Sequence, residues 1–232
     1  IEQRSVKSEV EIAEIEDALR VTAEAYRAVM AATAPGKLES ELAAILHATA
    51  LSHDRHQSFN PIVSVRGEVL HNTSYANRLA DGDLLLVDSG AESPRWYASD
   101  ITRTFPVSGR FSSRQREVYD IVLDMQTTVI AAASSATTNR ELHLLAALTG
   151  ARGLVDIGLM QGDPEEAVRA GAHALFFPHG LGHMLGLDVH DMEALGEDWV
   201  GYDRSCKRSD QFGLSALRLA RPLEAGFVVT VE

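Results

Sequence analysis

Residues 84–90 read LLLVDSG and residues 98–105 read ASDITRTF, and these two stretches decide the fold. The apolar run of the first stretch predicts a buried strand that carries Asp88 into the interior, where a carboxylate needs a cation or several hydrogen-bond donors. Side chains alternate along a strand, so Asp100 in the second stretch faces one side of the next strand. A turn at residues 93–95 would join the strands and place both aspartates side by side.

Two carboxylates this close repel each other unless they share a proton or a metal ion. Two alternatives need no metal. Asp88 would then be a turn aspartate at the end of a strand, and Asp100 would form an ion pair with Arg103. The two aspartates therefore indicate a metal site only together with further ligands.

Three histidines lie within a dozen residues, in the segments 177–183 (FPHGLGH) and 186–191 (GLDVHD). His179 and His183 are four residues apart, as in the zinc motif H-E-x-x-H, but glycines between them argue against a helix and no glutamate follows the first histidine. In an extended chain the two still share one face, because the side-chain period is two. A hydrogen-bonded core histidine explains any one of them, but the set with His190 predicts a site.

The last ten residues, 223–232, read LEAGFVVTVE and predict a β-strand that closes on the carboxylate of Glu232. The predicted strand before Asp88 also ends in a carboxylate. Carboxylate oxygens with an imidazole suit Mn, Co, Zn or Fe, and the absence of thiolates from the set argues against a structural zinc site.

Helical periodicity occupies two other parts of the chain. Ser8 and Glu11 form a capping-box pattern at the start of a helix of about six turns, which Pro35-Gly36 stops, and a second helix is predicted over 38–51. A third helix is predicted over 113–133, and a fourth runs from a cap at Asn139 to about Met160. Helix pair, strands, helix pair, strands is an α+β order.

Composition narrows the function classes. The chain has 232 residues with 33 acidic and 21 basic side chains, and the net charge of −12 disfavours nucleic acids and anionic membranes as partners. A single cysteine, Cys206, excludes an internal disulfide. No apolar run is long enough for a membrane span, and the sequence shows no signal peptide, which predicts a cytoplasmic protein.

Taken together and in this order, the aspartate stretches, the two histidine segments and the terminal run resemble the pita-bread metallopeptidases. The resemblance covers essentially the whole chain, from about Arg4 onward, and is closest to the Xaa-Pro aminopeptidases, with the Xaa-Pro dipeptidases next. It implies the α+β pita-bread (creatinase/aminopeptidase) fold, in which two helix pairs cover a curved antiparallel sheet. Two departures, an Asp88–Asp100 spacing about one residue longer than usual and a long stretch over 192–220, touch no ligand.

The resemblance also implies two divalent metal ions, most often manganese, with Co, Zn or Fe possible. Asp88 would bind one ion, Asp100 would bridge both, and His183 and Glu232 would bind the other. The fifth ligand of the family is a second bridging glutamate on a following strand, and the sequence stops before it.

Three histidines match substrate-contacting positions of the family. His71 would line the substrate pocket, and His179 and His190 would contact the peptide and stabilise the tetrahedral intermediate. The implied reaction is attack of a metal-bridging hydroxide on the first peptide bond, with Glu232 as both ligand and proton shuttle. The substrate would be a peptide with proline in the second position.

The domain expectation is a single catalytic metallopeptidase domain over 1–232, truncated at its C-terminal strand and without the usual N-terminal domain, from a full-length protein that is a homodimer. The alternatives are an Xaa-Pro dipeptidase, a methionine aminopeptidase-like enzyme, and a non-catalytic binding member of the fold.

Overall fold

The computed structural model describes all 232 residues. The chain divides into two compact units. The sheet unit comprises Ser8–Ser112 and Leu185–Val189, and the histidine unit comprises Ile1–Lys7, Ser113–Met184 and His190–Glu232. The prediction of a single domain is not tested by this division.

The helices and strands follow the α+β order expected from the sequence. In chain order they are α1 (Glu2–Ser5), α2 (Glu9–Ala32), α3 (Glu39–Ser52), β1 (Ile62–Ser64), β2 (Leu84–Ser89), β3 (Ile101–Pro106), α4 (Ser113–Ala132), α5 (Asn139–Asp156), α6 (Pro164–Arg169) and α7 (Glu197–Gly201). Short 3₁₀ turns lie at Ala172–Leu175 and Glu193–Leu195. No helix is both long and apolar enough to cross a membrane.

The helix starts show which local signals were read correctly. Ser8 caps α2, and Glu11 completes the predicted capping box. The predicted cap at Asn139 is wrong, because Thr138 supplies the capping hydroxyl and Asn139 is the first helical residue. The Asn139 amide is buried and donates to the Leu219 carbonyl at 2.8 Å. The same helix ends at Asp156 rather than near residue 160, since Gly158 reverses the chain with φ +73°.

The sheet unit contains an antiparallel sheet of three strands in the order β1-β2-β3. Asp88 of β2 lies opposite Thr102 of β3, so Asp100 lies diagonally across from Asp88 on the same face. The predicted side-by-side placement is therefore a diagonal one. The core of this unit is formed by side chains of α2, α3, the strands and the segments next to the strands, namely Ala25, Tyr26, Val29, Leu42, Ala43, Leu46, Val63, Leu79, Leu85, Val87 and Val107.

The histidine unit is built on the helix pair α4 and α5. Its core comprises Val129, Leu142, Ala146, Ala147, Phe177, Leu181, Met184, Met192, Val200, Leu219 and Leu223. The long stretch over 192–220 therefore contributes core side chains to this unit.

The terminal run 223–232 does not form the predicted strand. Its only bridge is an isolated one, Met184 with Val229, and a second isolated bridge, Thr138 with Pro222, lies just before the run. The backbone N–H of Thr230 donates to the His183 carbonyl, but the N–H of His183 donates to the Thr230 hydroxyl instead of a backbone oxygen. A ladder needs backbone groups on both sides, so the pairing stops at single bridges.

Candidate metal centre

Two half-buried carboxylates, Asp88 and Asp100, are held in place by the strands of the sheet unit. Beneath them the buried hydroxyl of Tyr26 donates to the Val87 carbonyl at 2.9 Å and to the Ile101 carbonyl. Burial raises the pKa of Tyr26 well above its ordinary value, and the charges of Asp88 and Asp100 raise it further. The phenol therefore stays neutral, and its hydrogen bonds restrain the backbone next to both aspartates.

The segment before Asp100 is fixed by a buried hydroxyl network. Ser99 donates to the Ala91 carbonyl at 2.7 Å, and Thr22 lies 2.7 Å from the Ser99 hydroxyl. Gly90, opposite Asp100, approaches so closely that an added Cβ would lie 1.7 Å from the Ser99 carbonyl oxygen. The strand register that places Asp100 therefore requires glycine at position 90.

His183 is the most restrained candidate in the histidine unit, with only 4% of its side chain exposed. Its Nδ1 donates to the Met184 carbonyl at 2.9 Å, and its Nε2 lies 3.1 Å from the Glu232 carboxylate. A backbone carbonyl that fixes the far nitrogen is typical of metal-binding histidines. Two ligands about 2.1 Å from one ion are about 3 Å apart at right angles, so this pair fits a divalent metal.

Thr230 connects the two donors. Its hydroxyl accepts from the His183 N–H at 3.0 Å and donates to the Glu232 carboxylate at 2.7 Å. Burial alone would raise the pKa of Glu232, but the hydrogen bonds and charge supplied by His183 and Thr230 outweigh it and lower the pKa. Glu232 is therefore held in its ionised form.

The other two predicted site histidines of this unit are His190 and His179. The His190 ring lies 4.3 Å from the His183 ring, centroid to centroid, and is 41% exposed. His190 Nδ1 is 3.7 Å from Glu193, whose pKa is raised by burial despite its ion pair with Arg218. His179 Nδ1 donates to the Gly180 carbonyl at 2.8 Å, which leaves its Nε2 available to a ligand.

His71 lies in a different setting from the other candidates. It is exposed, sits in the loop between β1 and β2 and has a left-handed backbone with φ +55°. Its place in a substrate pocket stays a prediction.

Sequence reasoning missed several side chains that fix the candidates. Tyr26 lies within the first predicted helix, and helical periodicity carries no information about the partner of its hydroxyl. Thr230 was a β-branched member of a strand, and Glu193 belonged to a stretch with no assigned role. Tyr26 bonds to Val87 and Thr230 bonds to His183, both far away along the chain, so no local pattern could reveal these contacts.

The model of metallopeptidase family M24 matches residues 13–232. The chain belongs to metallopeptidase family M24. It is 43% identical to a probable Xaa-Pro aminopeptidase of Uncinocarpus reesii and 38% identical to the Xaa-Pro aminopeptidase of Escherichia coli, with all of the chain and 48% of each relative covered. The chain therefore spans about half the length of these relatives.

Solved structures of the same group show the fold of this M24 chain. It matches proline aminopeptidase P II of Yersinia pestis with a TM-score of 0.86 and 38% identity, over 99% of this chain and 49% of that one. It matches zinc-substituted E. coli aminopeptidase P in complex with product with a TM-score of 0.85 and 38% identity, over 99% and 48%. These matches confirm the predicted pita-bread fold. As a member of a metallopeptidase family, the chain is expected to use a divalent metal.

Proposed function

We propose that the intact protein is a metal-dependent aminopeptidase that releases the first residue from peptides with proline in the second position. The observation that carries the proposal is the His183–Glu232 pair, fixed by the Met184 carbonyl and the Thr230 hydroxyl, with the His190 ring 4.3 Å from His183. Supporting it, the relatives at 38–43% identity carry the name Xaa-Pro aminopeptidase.

The proposed metal ligands are Asp88, Asp100, His183 and Glu232. Three carboxylates and one imidazole form a hard, anionic donor set that suits Mn, Co, Zn or Fe. We propose that the site would hold two ions, with manganese as the first candidate, and that Asp100 would be a ligand of both.

Bound divalent ions lower the pKa of water towards neutrality and polarise the carbonyl of the scissile bond. His190 donates a hydrogen bond to the oxygen on which negative charge develops. Glu232 takes a proton from the attacking water and returns it to the departing nitrogen. His179 holds the peptide through Nε2, since its other nitrogen already donates to the Gly180 carbonyl.

Exopeptidase action follows from charge. The free amino group of the substrate is a cation, and Asp88 is the carboxylate that would receive it, so only the first peptide bond reaches the reacting groups. Proline in the second position has no N–H to donate, and recognition must therefore use the shape of its ring. His71 is the proposed pocket residue on the sheet unit.

The test compares three peptides on the intact, Mn-loaded protein: an Xaa-Pro-Yaa tripeptide, an Xaa-Pro dipeptide and a Met-Ala-Ser peptide. We expect the tripeptide to be cleaved fastest. Preference for the dipeptide would make the enzyme a dipeptidase, and preference for the third peptide a methionine aminopeptidase. No cleavage of any peptide would support the non-catalytic alternative and contradict the proposal.

The same assay tests the ligands. Asp100→Ala should abolish turnover and reduce the bound metal after dialysis, whereas Asp81→Ala, which removes an exposed carboxylate of the same unit, should change neither. Full activity of the Asp100→Ala variant would contradict the proposed site. The single domain, the homodimer and the cytoplasmic location stay predictions.

A further inference from the structure

A buried charge cluster lies directly beside His190 and has no part in the reaction proposed above. Asp191 has 1% of its side chain exposed, and its Oδ2 accepts from the Lys7 ammonium at 2.9 Å. Lys7 is equally buried, with 2% of its side chain exposed. Arg4, which is 35% exposed, pairs with the other oxygen of the same carboxylate. The two cations come from the N-terminal segment, more than 180 positions away along the chain.

Lys7 is itself anchored on two sides. Its ammonium also donates to the Arg4 carbonyl at 2.7 Å, and its backbone N–H donates to the Gly226 carbonyl at 2.8 Å. Gly226 has φ +90°, and a Cβ there would meet the Val6 side chain at 2.8 Å. Gly226 lies in the terminal run 223–232, so Lys7 contacts both Asp191, next to His190, and the run that ends at Glu232.

The Asp191 side of the contact reaches His183 through a single atom. The backbone N–H of Asp191 donates to the Met184 carbonyl at 2.9 Å, and the same oxygen accepts from His183 Nδ1 at 2.9 Å. Movement of Asp191 would therefore disturb both the neighbour in sequence, His190, and the hydrogen bond that orients His183.

Stability alone is a poor explanation for this cluster. Removing a lysine and a carboxylate from water costs several kcal/mol per ion, and apolar residues of the same volume are often as stabilising as the pair. What an ion pair adds over apolar packing is a defined geometry at each charged atom. Such a geometry is useful where it adjoins a group that must be placed within about 0.5 Å.

We propose that Lys7 is a positioning residue, which through Asp191 sets the place of the His190 imidazole relative to His183. The predicted effect on turnover depends on the peptidase function proposed above. Its structural part, the restraint of the His190–Asp191 turn by Lys7, stands independently of that function.

The test is Lys7→Met in the intact protein, compared with Leu154→Ala as a control for lost stability. Leu154 is buried in α5 and lies outside the apolar cluster that contains Met184 and Met192. At a temperature where both variants are fully folded, we expect Lys7→Met to lower kcat about 10- to 100-fold, as misplacement of a reacting group does. KM should change less than about 2-fold, and kcat of the control should stay near wild type.

A second measurement does not depend on turnover. Hydrogen exchange at the Asp191 amide, which bonds to Met184, should accelerate at least 10-fold more in Lys7→Met than in the control. Lys7→Arg should restore part of both effects, because arginine still presents a donor to Asp191.

Each outcome decides the proposal. Equal losses of kcat and equal exchange in Lys7→Met and the control would reduce Lys7 to a stabilising residue and overturn it. If Lys7→Met does not fold, Asp191→Asn replaces it, because the amide keeps the shape of the side chain and removes the charge that pairs with Lys7, and wild-type kcat and exchange in that variant would overturn the proposal as well. If wild type cleaves no peptide, the proposed function fails, and the exchange of Asp191 alone decides whether Lys7 restrains the turn.

Discussion

Asp88 lies on β2 and Asp100 directly precedes β3 of a regular antiparallel ladder, whereas His183 and Glu232 lie on extended segments joined by one isolated bridge, Met184 with Val229. In the sheet unit, backbone pairing places the donors and side chains such as Tyr26 reinforce it. In the histidine unit, the Thr230 hydroxyl takes the place of a backbone partner. A ladder restrains each residue through its neighbours, and a bridge depends on single contacts.

The largest expected effect tests the close backbone approaches in both regions. A Cβ at Gly90 would lie 1.7 Å from the Ser99 carbonyl oxygen, and one at Gly182 would lie 2.1 Å from the Thr230 carbonyl oxygen. We expect Gly90→Ala and Gly182→Ala each to reduce the free energy of unfolding by more than about 3 kcal/mol, because backbone must move in both. The loss should be greater at Gly90, since a ladder shifts less easily than a bridge.

Urea unfolding measures both losses. Gly67→Ala is the control, because its Cβ would meet the Leu86 side chain at an ordinary 3.4 Å. Unchanged stability in Gly182→Ala would show that the two extended segments are not held together as described.

The next prediction is that the stability of the two regions depends on pH in different ways. His143 of the histidine unit is fully buried, and burial with the nearby charges of His173 and His179 lowers its pKa to about 4. Its neutral form is favoured by folding, so this contribution is present above pH 6.5 and is lost as the pH falls from about 6.5 to about 4. The loss at pH 4 is about 3 kcal/mol, and His143→Phe should remove most of this pH dependence.

Chemical unfolding at pH 7.5 and pH 4.5 checks this, with His47→Phe, on an exposed helix position, as the control. In the sheet unit the comparable group is Tyr26. Its raised pKa has the opposite consequence, because stability is lost above pH 10, where the unfolded phenol ionises first. An identical acid response in His143→Phe and wild type would show that the buried imidazole does not govern the acid response.

A smaller effect tests the single contact that replaces the ladder. Thr230→Val leaves the His183 N–H without its hydroxyl partner and releases Glu232, at a cost of about 1–2 kcal/mol in stability. Metal affinity should fall about 10- to 100-fold, as when the partner of a metal-binding side chain is removed. Calorimetric titration with Mn²⁺ measures this. Thr149→Val, which removes a hydroxyl bonded within α5, should leave the affinity unchanged.

The smallest effect should be the same in both regions. Ser8 caps α2 in the sheet unit, and Thr138 caps α5 in the histidine unit, each with a glutamate three residues later. Ser8→Ala and Thr138→Ala should each lower the free energy of unfolding by about 1 kcal/mol. Activity should not change. A loss of turnover in either variant would mean that the capping residue affects the position of the reacting groups.

Local signals predicted much of this architecture. The cap at Ser8, the strands before Asp88 and after Asp100, and the glycine-rich histidine segment were all read from spacing and residue type. The cap at Asn139 and the strand over 223–232 were read wrongly. In the first case the Thr138 hydroxyl, and not the Asn139 side chain, caps the helix. In the second case the Thr230 hydroxyl accepts the His183 N–H that a strand would pair with a backbone oxygen.

The sequence by itself determined the helix pairs, the antiparallel strands, the set of candidate ligands and, through their order, the resemblance to a metallopeptidase family. These depend on periodicity and residue chemistry, which are local. Only the tertiary structure decided the diagonal relation of Asp88 to Asp100, the role of Tyr26 and Thr230, and the contact of Lys7 with Asp191. Those contacts join residues that are distant along the chain, and which distant residues meet is fixed by packing and strand register rather than by any local pattern.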